Sequence, residues 1–311
     1  MNLAQPRLPN LIIAGVSKAG TSSLFRYLAQ HPDICPSDIK ELRYFSPYRF
    51  DGPVQPLSQY AQHFHHCDCQ RYVMEATPGY FYGGAPLVEA IIDTLDDAHV
   101  LVSLRDPVDR LWSYYRHCRS HLRFDKDLTL DEYLETCQRL REEGTDRMRD
   151  NMRYWGLSGG FYADFITPWW DALGDRFQVV FFEDLVRNAT STVMTICEWL
   201  GIDPTAAENF DYSVTNSTVV YRSKTVQRVA LALVMNGRSK LLSGRHPKLK
   251  RMLRGAYYAV NRDRRADPGL GTAAREQLQA IFAPANAQLA TKLQQRGYTK
   301  MPEWLAAVRW S

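Results

Sequence analysis

Long hydrophobic runs are missing from this 311-residue chain. The apolar stretch 11–16 is too short for a secretory h-region and far short of the ~20 residues that a helix needs to cross a bilayer. No other window reaches that length. The six cysteines, Cys35, Cys67, Cys69, Cys118, Cys137 and Cys197, are scattered and sit beside no secretion signal. That usage suits reduced thiols better than a disulfide framework, so the expectation is a soluble, cytoplasmic protein. Internal repeats, low-complexity tracts and linkers are also absent. The cluster His63-Phe64-His65-His66-Cys67-Asp68-Cys69 lacks the second spaced pair of a metal framework, so no metal is expected. No nucleic-acid partner is expected either.

Hydrophobic residues make up 45% of the chain, enough for a large core, and charged residues an ordinary 23%. Apolar, β-branched runs at 11–15, 72–75, 100–104 and 178–182 read as buried strands. Helices are expected at 21–30, 86–95, 106–119, 129–140, 161–173 and 191–200, then at 225–242, 247–260 and 273–295. The charged stretch 141–151 reads as a mobile loop, and 203–223 as irregular. Strands alternating with helices imply a parallel sheet with crossover helices. The expected fold is thus α/β, one P-loop-like domain over 1–311, its central parallel sheet flanked by helices, with helical C-terminal additions.

The first strand runs into Val16-Ser17-Lys18-Ala19-Gly20-Thr21-Ser22-Ser23, where a helix begins. Small residues let a backbone wrap an anion, and the N–H groups and dipole of a helix start favour negative charge. Lys18 adds a full cation, while Thr21 and Ser22 add hydroxyl donors. In the nucleotide-triphosphate loop the Lys directly follows the last Gly and precedes a metal-binding Ser or Thr. Here Lys18 stands two residues before Gly20. The third strand ends in Arg105-Asp106-Pro107, with Asp as helix cap and Pro at the first helical position. Ser113 follows eight residues on, about two turns into that helix. A cation at a strand end and a hydroxyl on the next helix suit one phosphate group, for which Arg offers a bidentate fork.

Together these segments resemble the sulfotransferase superfamily, in particular heparan-sulfate-type and bacterial sulfotransferases. Lys18-Ala19-Gly20-Thr21-Ser22 is similar to its 5′-phosphosulfate loop, and Arg105-Asp106-Pro107 through Ser113 to its 3′-phosphate motif. Further likenesses follow in family order: Lys40-Glu41-Leu42-Arg43-Tyr44-Phe45, Glu75-Ala76-Thr77-Pro78-Gly79-Tyr80, Gly160-Phe161-Tyr162, Phe182-Glu183-Asp184-Leu185 and Phe282-Ala283-Pro284-Ala285-Asn286. The resemblance implies metal-free, in-line transfer of a sulfuryl group from 3′-phosphoadenosine 5′-phosphosulfate (PAPS), leaving PAP. It places the 5′-phosphosulfate on Ala19 to Ser22, Lys18 on the transferring group, Arg105 and Ser113 on the 3′-phosphate, and Glu41 as catalytic base. Ala76 and Arg43 depart from the family's glycan enzymes, so acceptor contacts do not carry over. Glu75 and Arg43 are candidates for substrate binding, though Glu75 also suits a local network at a strand end. The family's later Lys-Gly loop is replaced by 216–224, where Arg222, Ser223 and Lys224 are candidate phosphate contacts. The implied acceptor is a hydroxyl or amine of a glycan, glycolipid or small molecule.

From 222 to 265 thirteen Lys and Arg face one acid, so this segment carries +12 of a net +4 and the rest of the chain −8. It reads as a solvated surface, a lid over the acceptor cleft or, through 225–242, a peripheral membrane contact. The alternatives to a sulfotransferase are a P-loop kinase, which needs the other Lys position and a metal-binding acid at a strand end, and a non-catalytic module that keeps the nucleotide pocket.

Overall fold

The computed structural model describes residues 7–125, 127–213 and 269–306. Arg222, Ser223, Lys224 and the basic segment 222–265, with its expected helices, lie outside them.

Five strands form one parallel sheet: β1 (Leu11–Gly15), β2 (Ile34–Pro36), β3 (Tyr72–Ala76), β4 (His99–Leu104) and β5 (Phe177–Phe181), in the spatial order β2-β3-β1-β4-β5. The helices are α1 (Thr21–Leu28), α2 (Pro47–Phe50), α3 (Leu57–Ala61), α4 (Gly84–Thr94), α5 (Pro107–Ser120), α6 (Leu130–Glu142), α7 (Ala163–Leu173), α8 (Phe182–Arg187), α9 (Ala189–Leu200), α10 (Thr272–Gln295) and α11 (Glu303–Ala306). None of the described helices is long and apolar enough to cross a membrane.

The chain divides into two compact units. The first comprises Met1–Arg110, Gly159–Asn216 and Leu278–Ser311 and holds the whole sheet. Every residue of β1 and β3 is buried, as expected of parallel strands covered on both faces. Leu11, Ile13, Met74 and Leu101 pack on Leu24 and Leu28 of α1 and on Val193, Ile196 and Leu200 of α9. From β1 the chain runs out to the edge strand β2 and back to β3, and then crosses β1 to β4 on its other side. This reversal opens a crevice at the carboxyl ends of the central strands, where open α/β sheets bind ligands. In α7, Trp169 is fully buried, stacks on Phe177 at 5.9 Å, and donates its indole N–H to the Phe81 carbonyl at 3.1 Å.

The second unit comprises Leu111–Ser158 and Ser217–Gln277. Here Thr129 and Glu132 form a reciprocal capping box that starts α6. The fully buried Tyr133 packs with Tyr115, Phe124 and Tyr154, and its hydroxyl accepts the Gly156 N–H at 3.1 Å.

The expected parallel sheet is present, with four differences in detail. β2 was not expected, being only three residues long and ending in Pro36. Phe182 opens α8 instead of closing the last strand. The charged stretch 141–151 is partly ordered, since α6 runs to Glu142 and a 3₁₀ turn covers Arg149–Tyr154. The expectation of six free thiols is corrected at Cys35 and Cys67, which form a disulfide. The fold brings their Cα atoms to 5.7 Å, inside bonding range, although 32 residues separate them. Cys69, Cys118, Cys137 and Cys197 are free thiols.

Trp169→Ala removes a fully buried ring and its hydrogen bond, and is expected to cost about 3–5 kcal/mol in urea unfolding.

Candidate active site at the carboxyl ends of the strands

The β1 loop is built by its carbonyls. Val16 extends the sheet, its N–H donating to Ser103 O at 2.9 Å. The Ser103 hydroxyl, fully buried on β4, donates to Ala19 O at 2.7 Å. Arg105 Nη1 donates to Lys18 O at 3.1 Å. Two consecutive carbonyls are therefore drawn toward β4, and a planar trans peptide then aims its N–H the opposite way. Lys18 (φ 76°) and Gly20 (φ 79°) both adopt the left-handed conformation. Alternating backbone of this kind curls successive N–H groups into an anion-binding concavity. The first intrahelical bonds of α1 run from the Ser23 and Leu24 N–H groups to Gly20 O, so the N–H groups of Thr21 and Ser22 precede the helical ladder. At Gly20 a Cβ would lie 2.9 Å from Leu185 Cδ2 and Phe182 Cδ2, so positive φ and close packing both demand glycine.

Arg105 leaves the end of β4 with its guanidinium 4.5 Å from the centre of the Phe182 ring. Burial lowers its pKa, opposed by the carboxylates of Asp109, Glu183 and Asp106. The Tyr162 hydroxyl donates to the Arg105 carbonyl at 2.8 Å. Glu183 accepts the Asp106 N–H at 2.9 Å, and Asp106 accepts the Val108 N–H at 2.8 Å, so two acids cap the start of α5. Burial raises the Glu183 pKa, against the pull of the Asp106 N–H. Ser113 lies further along α5, past the unit boundary that follows Arg110.

Glu41 arrives on the chain between β2 and β3. Its N–H donates to Ala76 O at 3.0 Å, and Ala76 pairs with Ile13 of β1 in the sheet register. The Glu41 segment thus hangs from the strand end beside the one that carries Lys18. Glu41 (φ 68°) and Arg43 (φ 60°) are also left-handed, a conformation that costs about 1–3 kcal/mol per non-glycine residue and gathers at functional sites. Lys40 Nζ lies 3.2 Å from Glu41 Oε1, and Arg43 Nη2 lies 3.1 Å from Oε2. Partial burial would raise the Glu41 pKa, but these two cations outweigh it and hold the carboxyl below its ordinary range.

Glu75 supports this segment from below. It is fully buried, with Oε1 accepting the Thr77 hydroxyl at 2.6 Å and Oε2 accepting the Tyr60 hydroxyl. Thr77 Oγ1 in turn accepts the Arg43 N–H at 3.2 Å, and the Tyr80 hydroxyl accepts the Phe45 N–H at 3.2 Å. Of the two roles that the sequence allowed Glu75, the structure places it in the local network. Burial raises its pKa, while the hydroxyls of Thr77, Tyr60 and Tyr80 pull it down. Sequence reasoning singled out neither Ser103 nor Tyr60. Both act over more than a dozen residues: the sheet register brings Ser103 to Ala19, and the packing of α3 brings Tyr60 to Glu75. Arg105 and Glu41 reach the same end of the sheet as Lys18, whereas Arg222, Ser223 and Lys224 lie outside the described residues.

A parallel sheet with an anion-cradling loop at its central strand end defines a nucleotide-type transferase fold. The comparisons with known proteins narrow this. A profile described as "Sulfotransferase family" matches residues 54–206. The membrane-associated sulfotransferase kil1 of Dictyostelium discoideum is 32% identical over 168 residues, covering 49% of this chain and 34% of that protein. The mouse bifunctional heparan sulfate N-deacetylase/N-sulfotransferase 1 is 25% identical over 306 residues, covering 96% of this chain and 31% of that protein. This chain spans about a third of the length of these relatives. The crystal structure of a sulfotransferase from Alicyclobacillus acidocaldarius shares the fold, with TM-score 0.67 and 23% identity over 96% of this chain and 99% of that one. Residues 54–206 of this chain are thus similar to the sulfotransferase family, and the fold is shared with a solved sulfotransferase.

The buried acid gives a test with a defined sign. A carboxyl raised in the folded state binds its proton more tightly there than when unfolded, so its contribution to stability falls as pH rises above the ordinary value of 4.5. Glu75→Gln cannot titrate. The stability of the wild type relative to this variant is expected to decline steadily from about pH 4.5 upward in denaturant melts, and a pH-independent difference would refute the buried-acid account.

Proposed function

We propose that this chain, with 1–311 acting as one sulfotransferase domain, transfers a sulfuryl group from PAPS to an acceptor hydroxyl or amine. The observation that carries the reading is the pair of left-handed residues at neighbouring strand ends: Lys18 in an anion-cradling loop and Glu41 held as a carboxylate. The donor's chemistry suits the loop. A 5′-phosphosulfate presents several anionic oxygens; Gly20, Thr21 and Ser22 offer N–H groups and hydroxyls and Lys18 an ammonium, while Ala19 shapes the loop through its N–H to Val16 O. Arg105, with Ser113 on the helix that follows it, is assigned to the 3′-phosphate, and Arg222, Ser223 and Lys224 are further candidates for that group. Arg105 stands at the end of β4 where a magnesium-dependent kinase needs an acid, which favours sulfuryl over phosphoryl transfer.

In the reaction the acceptor oxygen or nitrogen attacks sulfur in line with the bridging oxygen of the phosphosulfate. The new bond to sulfur forms as the old one breaks, and its electron pair passes to the departing phosphate of PAP. Lys18 and the loop N–H groups stabilise that growing charge. Glu41 takes the acceptor proton. Its lowered pKa keeps it ionised and ready at neutral pH, and Lys40 and Arg43 hold it in place until the acceptor arrives. Arg43, mostly exposed and paired with Glu41, is a candidate contact to the acceptor only once that pair opens, while Glu75 acts on the acceptor side by fixing the Glu41 segment. Glycans, glycolipids and small molecules are the acceptor classes considered. The named heparan sulfate relatives support a glycan. A peripheral membrane contact through 225–242 belongs to the same proposal.

Calorimetry is expected to show PAP binding without magnesium, and magnesium-dependent ATP binding in its place would overturn the reading. Lys18→Ala is expected to abolish turnover. Glu41→Gln is expected to lower kcat by about 10²–10⁴ while PAP affinity changes less than about twofold.

A further inference from the structure

The segment that carries Glu41 also builds a cavity that the reaction leaves unused. It encloses about 210 Å³ and is lined by Leu42, Tyr44, Gln55, Gln59, Tyr60, Gln62 and His63. Three of these seven are amides, which donate and accept at once. Tyr44 stacks at 4.2 Å and 11° on the buried Tyr60, whose hydroxyl is committed to Glu75, so the pair forms an aromatic wall with Tyr44 as its outer ring. His63 Nδ1 lies 2.7 Å from Asp38 Oδ1, which leaves Nε2 for another partner. No Lys, Arg, Asp or Glu lines the cavity.

Apolar surface gathers on the same stretch of chain. Six large hydrophobic side chains are exposed among the described residues, and four of them, Ile39, Tyr48, Val54 and Leu57, come from 39–57. Scattered exposed apolar residues need no explanation, but four around one candidate base are a feature of the site. Val54 and Leu57 flank Gln55, and Leu57 opens the short helix that carries Gln59.

We propose that this cavity is the acceptor subsite, and that it takes an uncharged, polyhydroxylated ring joined to an apolar group, the chemistry of a neutral glycolipid headgroup. A polyanionic glycan needs cations along its path. Here the lining supplies none, and the nearby Lys40 and Arg43 are engaged with Glu41. Amides beside an aromatic face suit vicinal hydroxyls and the C–H face of a sugar ring. The volume lies below the ~300–1,000 Å³ of drug-sized sites, so it admits one ring and leaves the apolar part to Val54, Leu57 and their neighbours. The word acceptor rests on the sulfotransferase reading, but the binding preference does not.

The test uses the whole chain, with octyl β-glucoside below its micelle concentration and methyl β-glucoside as probes. Both are titrated by ligand-observed NMR, and PAP affinity is measured in parallel. The octyl glycoside is expected to bind at least about tenfold more tightly than the methyl glycoside. Gln59→Ala and Gln55→Ala, both at exposed positions, are each expected to weaken both probes about three- to tenfold. Leu57→Asn is expected to weaken only the octyl probe. The proposal is overturned if neither glycoside binds, if both Gln variants bind them unchanged, or if a heparosan polyanion displaces the octyl glycoside and loses affinity in Gln59→Ala. Glycoside binding without PAP binding would sink the sulfotransferase reading and leave the subsite standing. PAP binding without glycoside binding would do the reverse.

Discussion

The direction of two peptide planes governs this site. Ser103 and Arg105 project from the end of β4 and draw the carbonyls of Ala19 and Lys18 toward themselves. Of the N–H groups on the opposite edges of those peptides, that of Ala19 turns back to Val16 O at 3.2 Å, which leaves that of Gly20 for the loop's concave side. An anion loop needs this arrangement fixed in advance, because turning a peptide when the ligand arrives would consume binding energy. The sheet makes it possible: β1 and β4 are hydrogen-bonded neighbours with Gly15 paired to Val102, so the next residues on β4 are already alongside the loop. Gly20 completes the loop because no side chain fits against Leu185 and Phe182. Arg105 thus has a structural duty, holding Lys18 O and stacking on Phe182, beside any contact with a ligand.

The second side of the crevice follows a similar logic with a different anchor. Glu41 and Arg43 are strained residues, and strain persists only where surroundings over-determine it. Ala76 O holds the Glu41 N–H, and Thr77 holds the Arg43 N–H while donating to the buried Glu75. Tyr60 joins Glu75 from α3, so one network holds the Glu41 segment and also one wall of the neighbouring cavity. The Glu41 segment is therefore held at the end of β3, beside the strand that leads into the Lys18 loop.

What was legible in the sequence was what is local. The Lys18 loop could be read because strand, small residues and helix start follow one another without a gap. Arg105-Asp106-Pro107 could be read because capping chemistry is confined to a few residues. Four of the five strands carried enough apolar, β-branched residues to be recognised. β2 did not, since three residues ending in proline show no periodicity. Glu183 was visible only as part of a family likeness, and its grip on the Asp106 N–H depends on β4 and β5 being adjacent. The part played by Glu75 needed Tyr60, fifteen residues earlier, to fold onto it. The Cys35–Cys67 bond lay beyond reach for the same reason, because scattered cysteines give no pairing until a fold juxtaposes them.

That bond gives the Glu41 segment a topology of its own. The 32-residue separation between Cys35 and Cys67 contains Glu41, Arg43, the four exposed apolar residues and every residue lining the cavity. In chain-entropy terms, closing such a ring removes about 3–4 kcal/mol of freedom from the unfolded chain. The ring's two ends are fastened at β2 and just before β3, and inside it the N–H groups of Ser37 and Glu41 tie the chain to Met74 O and Ala76 O of β3. A change of length or composition inside it, around the turn at 51–56 for instance, leaves the strand order and the Lys18 loop untouched. The Lys18 loop and the cavity beside Tyr60 therefore lie on separate stretches of chain, and the second sits within a covalent hoop that the first stays outside.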